Sequence, residues 1–354
     1  MKQAGPTILI RCDGSSEIGF GHVTRCLALA DEFRLQHGCA VTFAMRRDAL
    51  GVGLCEERGY RVVRGLTPNL PDQGVWLRDL CQAIHAEVVV LDVRDELPRE
   101  VVQRLRDEGK LIVTIDDPTD RRLDADLAFY PPVPQVHRMD WNGFTGQMHS
   151  GWEWIILRDE FRTPSAFLPK SRPVILVTMG ASDPAGLTLK ALEALASLES
   201  DCRVLLVLGP ACRQILAITN WVEGSSLDVE IHFGPKTMSD LMNQADVALA
   251  SFGITAYELA AMGVPTVYLC LTEDHVESAR ALSQEGAAMC LGLHEHVEVV
   301  DISREIIQLL DNPLKREQMA QNGKRVVDGF GAQRIASMVV SQVSEKVNEL
   351  VCQQ

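Results

Sequence analysis

Arg11-Cys12-Asp13-Gly14-Ser15-Ser16-Glu17-Ile18-Gly19-Phe20-Gly21-His22-Val23-Thr24-Arg25-Cys26 joins two segments of different periodicity. Thr7 to Cys12 before it is apolar and short, as a strand would be, while His22 to about Gln36 after it carries helical spacing. The glycines therefore sit where a strand gives way to a helix, and they deliver an imidazole to the strand's carboxyl end. Open α/β sheets carry their chemistry at that end. The dinucleotide fingerprint Gly-x-Gly-x-x-Gly does not fit, since no third glycine stands in the region of Arg25. We read the segment as an active-site loop built around His22.

The same alternation continues outward. Ile8 to Ile10, Val41 to Ala44, Val88 to Leu91 and Leu111 to Ile115 read as strands separated by helices, which implies a parallel sheet covered on both faces. From Phe129 to Arg172 the rhythm stops in a stretch with five prolines, followed directly by Pro173, and with Trp141, Trp152 and Trp154, so a connection between domains is expected there, near Pro164 to Arg172. The two tryptophans at period two fit a half-buried strand or packing between domains. A second series follows, with strands at Val174 to Thr178, Val204 to Leu208, Val229 to Phe233, Val247 to Leu249 and Thr266 to Leu269. Helices are expected from Pro184 and from about Lys236, Ile254 and Asp274. The fold class is α/β, two tandem Rossmann-like domains with a ligand cleft expected between them: 1–165 with the catalytic loop, 166–332 for a nucleotide, and a last helix, 333–354, returning to the first domain.

Composition narrows the function. With 34 Lys and Arg against 48 Asp and Glu, the net charge of −14 disfavours nucleic acid as a partner. No apolar run is long enough for stable membrane insertion and no signal-peptide core follows Met1, so a cytoplasmic location is expected. The ten cysteines are scattered without a Cys-x-x-Cys, so buried free thiols are expected, and His294 and His296 lack a third ligand at short spacing. No metal or other cofactor is expected, and the sequence sets no oligomeric state.

Two more loops follow predicted strands. In Met179-Gly180-Ala181-Ser182-Asp183-Pro184, small residues lead to Asp183 as N-cap and Pro184 as first-turn proline. Free amides and a helix N-terminus suit a phosphate, although a plain helix cap has the same sequence. In Ser251-Phe252-Gly253-Ile254-Thr255-Ala256-Tyr257-Glu258 a strand feeds another helix, and Glu258 falls about one turn in, suited to a pair of ribose hydroxyls or simply to the helix dipole. Two anion-suited helix ends with a ribose-type acceptor point to a nucleoside diphosphate, hence a sugar nucleotide. Asp116-Asp117 reads as a turn capping Pro118.

Gly19 to Cys26, Ile115-Asp116-Asp117, Gly151 to Phe161 with its Leu157-Arg158-Asp159-Glu160-Phe161, Met179 to Pro184 and Ser251 to Glu258 together resemble the UDP-sugar hydrolase of the pseudaminic acid pathway and related spore-coat polysaccharide proteins. The resemblance spans most of the chain in the same order and implies the two-domain GT-B glycosyltransferase fold. It implies His22 as catalytic base, with Asp13, Gly19, Gly21 and Arg25 around it. It also implies Gly180, Ser182, Ser251, Gly253, Ile254 and Thr255 near the diphosphate, and Glu258 on the ribose. Asp274 and His275 fall at positions that face the sugar, where the family more commonly carries an Asn-Gln-like pair. The expected substrate is a UDP-sugar.

A nucleoside diphosphate leaves as a stable anion, so one base suffices, in keeping with the absence of the carboxylate pair that glycosidases use. His22 is expected to take the proton of a water attacking the anomeric carbon, with inversion, and Asp13 to hold the ring's other nitrogen. A glycosyltransferase on the same fold, passing the sugar to an acceptor, is the alternative.

Overall fold

The computed structural model describes residues 5–14, 19–46, 51–65, 73–94, 97–162, 172–198 and 201–352. The chain divides into two compact units, Met1–Arg158 with Phe330–Gln354, and Asp159–Gly329. The boundary expected at Pro164 to Arg172 falls almost wholly on 163–171, outside the described residues.

Unit 1 holds seven strands, β1 (Thr7–Cys12), β2 (Ala40–Met45), β3 (Arg61–Arg64), β4 (Val88–Asp92), β5 (Leu111–Ile115), β6 (Leu127–Tyr130) and β7 (Gln147–Ser150). They form one sheet in the order β3-β2-β1-β4-β5-β6-β7, every pairing parallel. Alternation along β1 shows why this sheet has two covered faces. Ile8 and Ile10 enter a core with helix Gly21–His37 and helix Gly331–Cys352, while Leu9 enters a second core with helices Gln73–Ala83 and Arg99–Asp107. Strands buried on both sides are apolar at every position, which is the pattern of Val88-Val89-Val90-Leu91. The last helix, Gly331–Cys352, packs on helix Gly21–His37 and contributes Ala332, Ile335, Ala336 and Val339 to the first of those cores.

Unit 2 repeats the plan with β8 (Val174–Thr178), β9 (Arg203–Leu208), β10 (Asp228–Phe233), β11 (Val247–Ser251), β12 (Thr266–Cys270) and β13 (Ala288–Leu293), in the order β10-β9-β8-β11-β12-β13. All its pairings are parallel. Ile175 and Val177 of β8 pack with Leu192 and Leu195 of helix Leu187–Ala196 and with Ile302 and Ile306 of helix Val299–Asp311.

In both sheets the strand order reverses direction at one place, next to the first strand of the unit: β1 beside β4, and β8 beside β11. The carboxyl ends of those strands are the topological switch points where doubly wound sheets bind ligands.

Within the stretch from Phe129 to Arg172 the sheet of unit 1 continues, since β6 and β7, which local pattern did not show, are two of its strands. Trp152 and Trp154 lie in a short 3-10 turn, not a strand, and Trp154 packs against Phe129 and His149 within unit 1.

Candidate functional site

At the switch point of unit 1, β1 and β4 run in register with Cys12 opposite Asp92. After β1 the chain passes Gly19, whose φ of +74° is a left-handed value that glycine takes without the strain a Cβ brings, and enters helix Gly21–His37. His22 is therefore in the first turn of the helix, pointing at the end of β4. Its Nδ1 lies 2.6 Å from Asp92 Oδ1. Arg25 Nη2 lies 3.0 Å from the same nitrogen. A carboxylate only accepts, so in the tautomer that pairs with Asp92 the hydrogen is on Nδ1 and Nε2, which has no partner among the described residues, is the nitrogen left to take a proton.

Arg25, one turn further along the helix, closes on the same carboxylate. Its Nε donates to Asp92 Oδ2 and its Nη2 to Asp92 Oδ1, both at 2.6 Å, the fork-on-carboxylate geometry that arginine provides. Asp92 is 0% exposed. Burial alone would push its carboxyl up, but the Arg25 charge and the hydrogen bonds from Arg25 and His22 outweigh it and hold the group far below the ordinary carboxylate value. Arg25 shows the mirror image, with burial opposed and outweighed by Asp92, so its value is raised. The pair is an ionised Asp92 neutralised by Arg25 and bonded to one nitrogen of His22.

Arg25 Nη1 reaches Asp116 Oδ2 at 3.4 Å, and Arg94 Nη2 donates to the same oxygen at 2.7 Å. Asp116, just past β5, adopts φ +51°, a left-handed conformation that Asp tolerates better than most residues. Arg94 also donates to the Asp116 carbonyl. Asp117 next to it accepts from Thr119 N at 2.9 Å and from Arg121 Nε at 2.8 Å, the expected turn cap plus a buried ion pair.

Two sequence expectations change here. Asp13 does not hold the His22 ring: its carboxylate is 2.7 Å from Arg11 Nη1 and accepts the Arg46 amide at 2.7 Å. Arg11 is almost fully buried at the end of β1 and needs a counter-charge, so the nearest carboxylate is taken. Arg25, expected around the substrate, spends its guanidinium on Asp92 and Asp116. The residue that reasoning from sequence missed is Asp92. Its signal was present, an acid directly ending the apolar run Val88 to Leu91.

At the switch point of unit 2, Thr178 of β8 pairs with Ala250 of β11. Gly180 follows β8 with φ +81°, and a Cβ there would lie 3.6 Å from Ser251 Oγ, so the two loops adjoin. The helix expected from Pro184 begins at Leu187. Asp183, itself at φ +43°, forms a turn first and then caps from a distance, Oδ1 accepting from Leu187 N at 2.8 Å and Oδ2 from Thr188 N at 2.9 Å. These two helix amides are thereby occupied by a buried carboxylate.

The other loop has the opposite character. Helix Ile254–Met262 starts after Gly253 with no side-chain cap and no acid in its first turn, leaving the amides near Gly253, Ile254 and Thr255 for an anion. Glu258 is one turn in and 4% exposed. Phe252 joins this loop to the next, its ring centroid 5.6 Å from Tyr268 and 6.0 Å from His275. Asp274 and His275 open helix Glu273–Gln284, where Thr272 Oγ1 accepts the His275 amide at 3.2 Å. Burial lowers His275 below the ordinary imidazole value against a weaker pull from Asp274. The expected unit 2 residues thus fall on three adjoining loops at one sheet edge.

No protein-family model matches the chain. It is 25% identical over 344 residues to the spore coat polysaccharide biosynthesis protein SpsG of Bacillus subtilis (strain 168), covering 96% of this chain and 99% of that protein. Among solved structures it is similar to Acinetobacter baumannii MurG, with TM-score 0.71, 16% identity and coverage of 94% of this chain and 99% of that one. It is also similar to the spinosyn rhamnosyltransferase SpnG in complex with thymidine diphosphate, with TM-score 0.65, 16% identity and coverage of 94% and 99%. The fold is that of GT-B glycosyltransferases, two parallel-sheet Rossmann-like domains.

Proposed function

We propose that this chain acts on a nucleotide-activated sugar in polysaccharide biosynthesis, with His22 as the base and the loops after β8 and β11 as the holders of the nucleoside diphosphate. The observation that carries the reading is the buried, ionised Asp92 fixed on His22 Nδ1 at 2.6 Å at a switch point. A histidine so held presents Nε2 in one orientation and gains a stabilised positive charge when it takes a proton. A UDP-sugar is the proposed substrate, with Glu258 on the ribose, Gly180, Ser182, Ser251 and the Gly253 to Thr255 amides on the diphosphate, and Asp274 and His275 on the sugar.

Sugar transfer is the first form of this reading, supported by the likeness to SpnG, a rhamnosyltransferase. An acceptor hydroxyl attacks the anomeric carbon, its proton passes to His22 Nε2, and the bond from that carbon to the diphosphate oxygen breaks with its electron pair leaving on the nucleotide. The configuration inverts. Asp92 and Arg25 act through His22, setting its orientation and balancing its charge. The amides of unit 2 meet the charge that grows on the leaving diphosphate.

Hydrolysis is the second form, supported by the motifs from Gly19 to Cys26 and from Ser251 to Glu258 that resemble the UDP-sugar hydrolase. The step is the same with water in place of the acceptor. Purified protein incubated with UDP-sugars in the absence of an acceptor separates the two. Free sugar in one-to-one yield with UDP, with solvent oxygen-18 on the sugar, identifies a hydrolase, and turnover only on adding a hydroxylated acceptor identifies a transferase. Label on UDP, or no turnover of any sugar nucleotide by either route, overturns both.

A further inference from the structure

Cys270 ends β12, and Cys290 lies in the neighbouring strand β13. The register of these parallel strands slips after Tyr268: Tyr268 pairs with Cys290 and Cys270 with Leu293. Across that slip the two sulfurs are 3.9 Å apart. Their surroundings differ. Cys270 is fully buried, whereas Cys290 is half-buried and is the one cysteine among those described that is not buried. The hydrogen bond between the two sulfurs, helped by a Gly292 backbone hydrogen bond and the Arg280 charge, lowers Cys290 against the effect of burial. The same bond pushes Cys270 up. Cys290 is thus the more acidic thiol of the pair, and it is the one that solvent reaches.

We propose that Cys270 and Cys290 form a peroxide-responsive dithiol, a reversible modification site at the carboxyl edge of the unit 2 sheet. The Cys290 thiolate attacks one oxygen of hydrogen peroxide, the O–O bond breaks, and the departing hydroxide is protonated to water, leaving a sulfenic acid. Cys270 then attacks that sulfur, the S–S bond forms, and the sulfenic oxygen leaves as water with the Cys270 proton. In sum two thiols lose two electrons and two protons, and one peroxide becomes two waters. The sulfurs must close from 3.9 Å to about 2.05 Å. β13 is an edge strand with a paired strand on one side only, which leaves it the freer side to adjust. Two residues after Cys270 stands Thr272, the cap of the helix that carries Asp274 and His275.

Cys12 and Cys26 also interact, in unit 1, but both are buried, which makes them an internal control. The test is to treat the full-length protein with a small excess of hydrogen peroxide, block free thiols by alkylation, digest and map the peptides by mass. The expected result is a single cross-link joining Cys270 to Cys290, with a loss of two hydrogens, reversed by dithiothreitol and absent from Cys290→Ser. Cys12 and Cys26 remain alkylatable after unfolding. Cys290 recovered as a thiol, as a sulfinic acid or in a cross-link to any other cysteine overturns the proposal. This holds for the wild-type protein alone, whatever the folding of the variant.

Discussion

His22 Nδ1 and Asp92 Oδ1 stand 2.6 Å apart although 70 residues separate them, because the first turn after β1 faces the last residue of β4. Arg25 binds both oxygens of the same carboxylate. Histidine, aspartate and arginine therefore act as one charge-balanced group.

Asp92→Asn keeps the shape of the side chain but removes its charge and replaces one acceptor oxygen by a donor, so His22 and Arg25 compete for the single oxygen that remains. Sugar-nucleotide turnover is expected to fall by ~10² or more in kcat, with KM changed little, as for loss of an orienting carboxylate behind a histidine base. His22→Ala should match it, and the double variant should be no worse than the worse single one. Fully multiplicative losses would show that the two residues act separately.

Asp13→Asn separates the two acids of the site. Asp13 neutralises the buried Arg11, so the variant is expected to lose about 1–3 kcal/mol of stability in denaturant titration while kcat stays within a few-fold of the parent. A kcat loss equal to that of Asp92→Asn would return Asp13 to the histidine.

Two glycines of unit 2 differ in what they do. Gly180 is left-handed, so Gly180→Ala costs about 1–2 kcal/mol from backbone strain even though its Cβ would make only an ordinary contact with Ser251. Gly253 has an extended φ of 174° with nothing near its Cβ position, so Gly253→Ala should leave stability within about 0.5 kcal/mol. Any fall in UDP affinity of Gly253→Ala, read by calorimetry, then reports the ligand and not the fold. Unchanged UDP binding in this variant would move the diphosphate away from the helix that starts at Ile254.

The lowered His275 gives a pH signature. Its Nδ1 is buried without a partner, and the neutral ring is favoured in the folded chain. The unfolded chain therefore binds this proton more readily, so the contribution is complete above about pH 6.5 and is lost as the pH falls below it. Urea midpoints at pH 7.5 and 5.5 should differ less for His275→Gln than for the parent. An unchanged difference assigns the acid sensitivity to other groups.

Much of this was legible in the sequence where one face or one period decides the structure. Val174 to Thr178 and Thr7 to Cys12 are strands as read, since continuous apolar runs leave few alternatives. β6 and β7 were missed because Leu127–Tyr130 and Gln147–Ser150 are short and lie among prolines, so pairing with β5 rather than local pattern makes them strands. The His22 loop was readable from its glycines. Asp92 was visible only as an acid ending an apolar run, because its role arises when β4 is placed next to β1, a long-range pairing that no spacing in the sequence encodes. Asp183 was seen as a cap, but its left-handed turn, which delays the helix to Leu187, depends on a backbone state that residue type only permits.

Unit 1 is interrupted: residues 159–329 are made after its sheet and before its final helix. During translation the apolar side of helix Gly21–His37 must wait for Ala332, Ile335, Ala336 and Val339, which emerge from the ribosome only after the whole of unit 2. Unit 2 is continuous and has its full complement of residues earlier. The region synthesised first is thus the one finished last, and a nascent chain stalled near residue 329 lacks these four residues of that core.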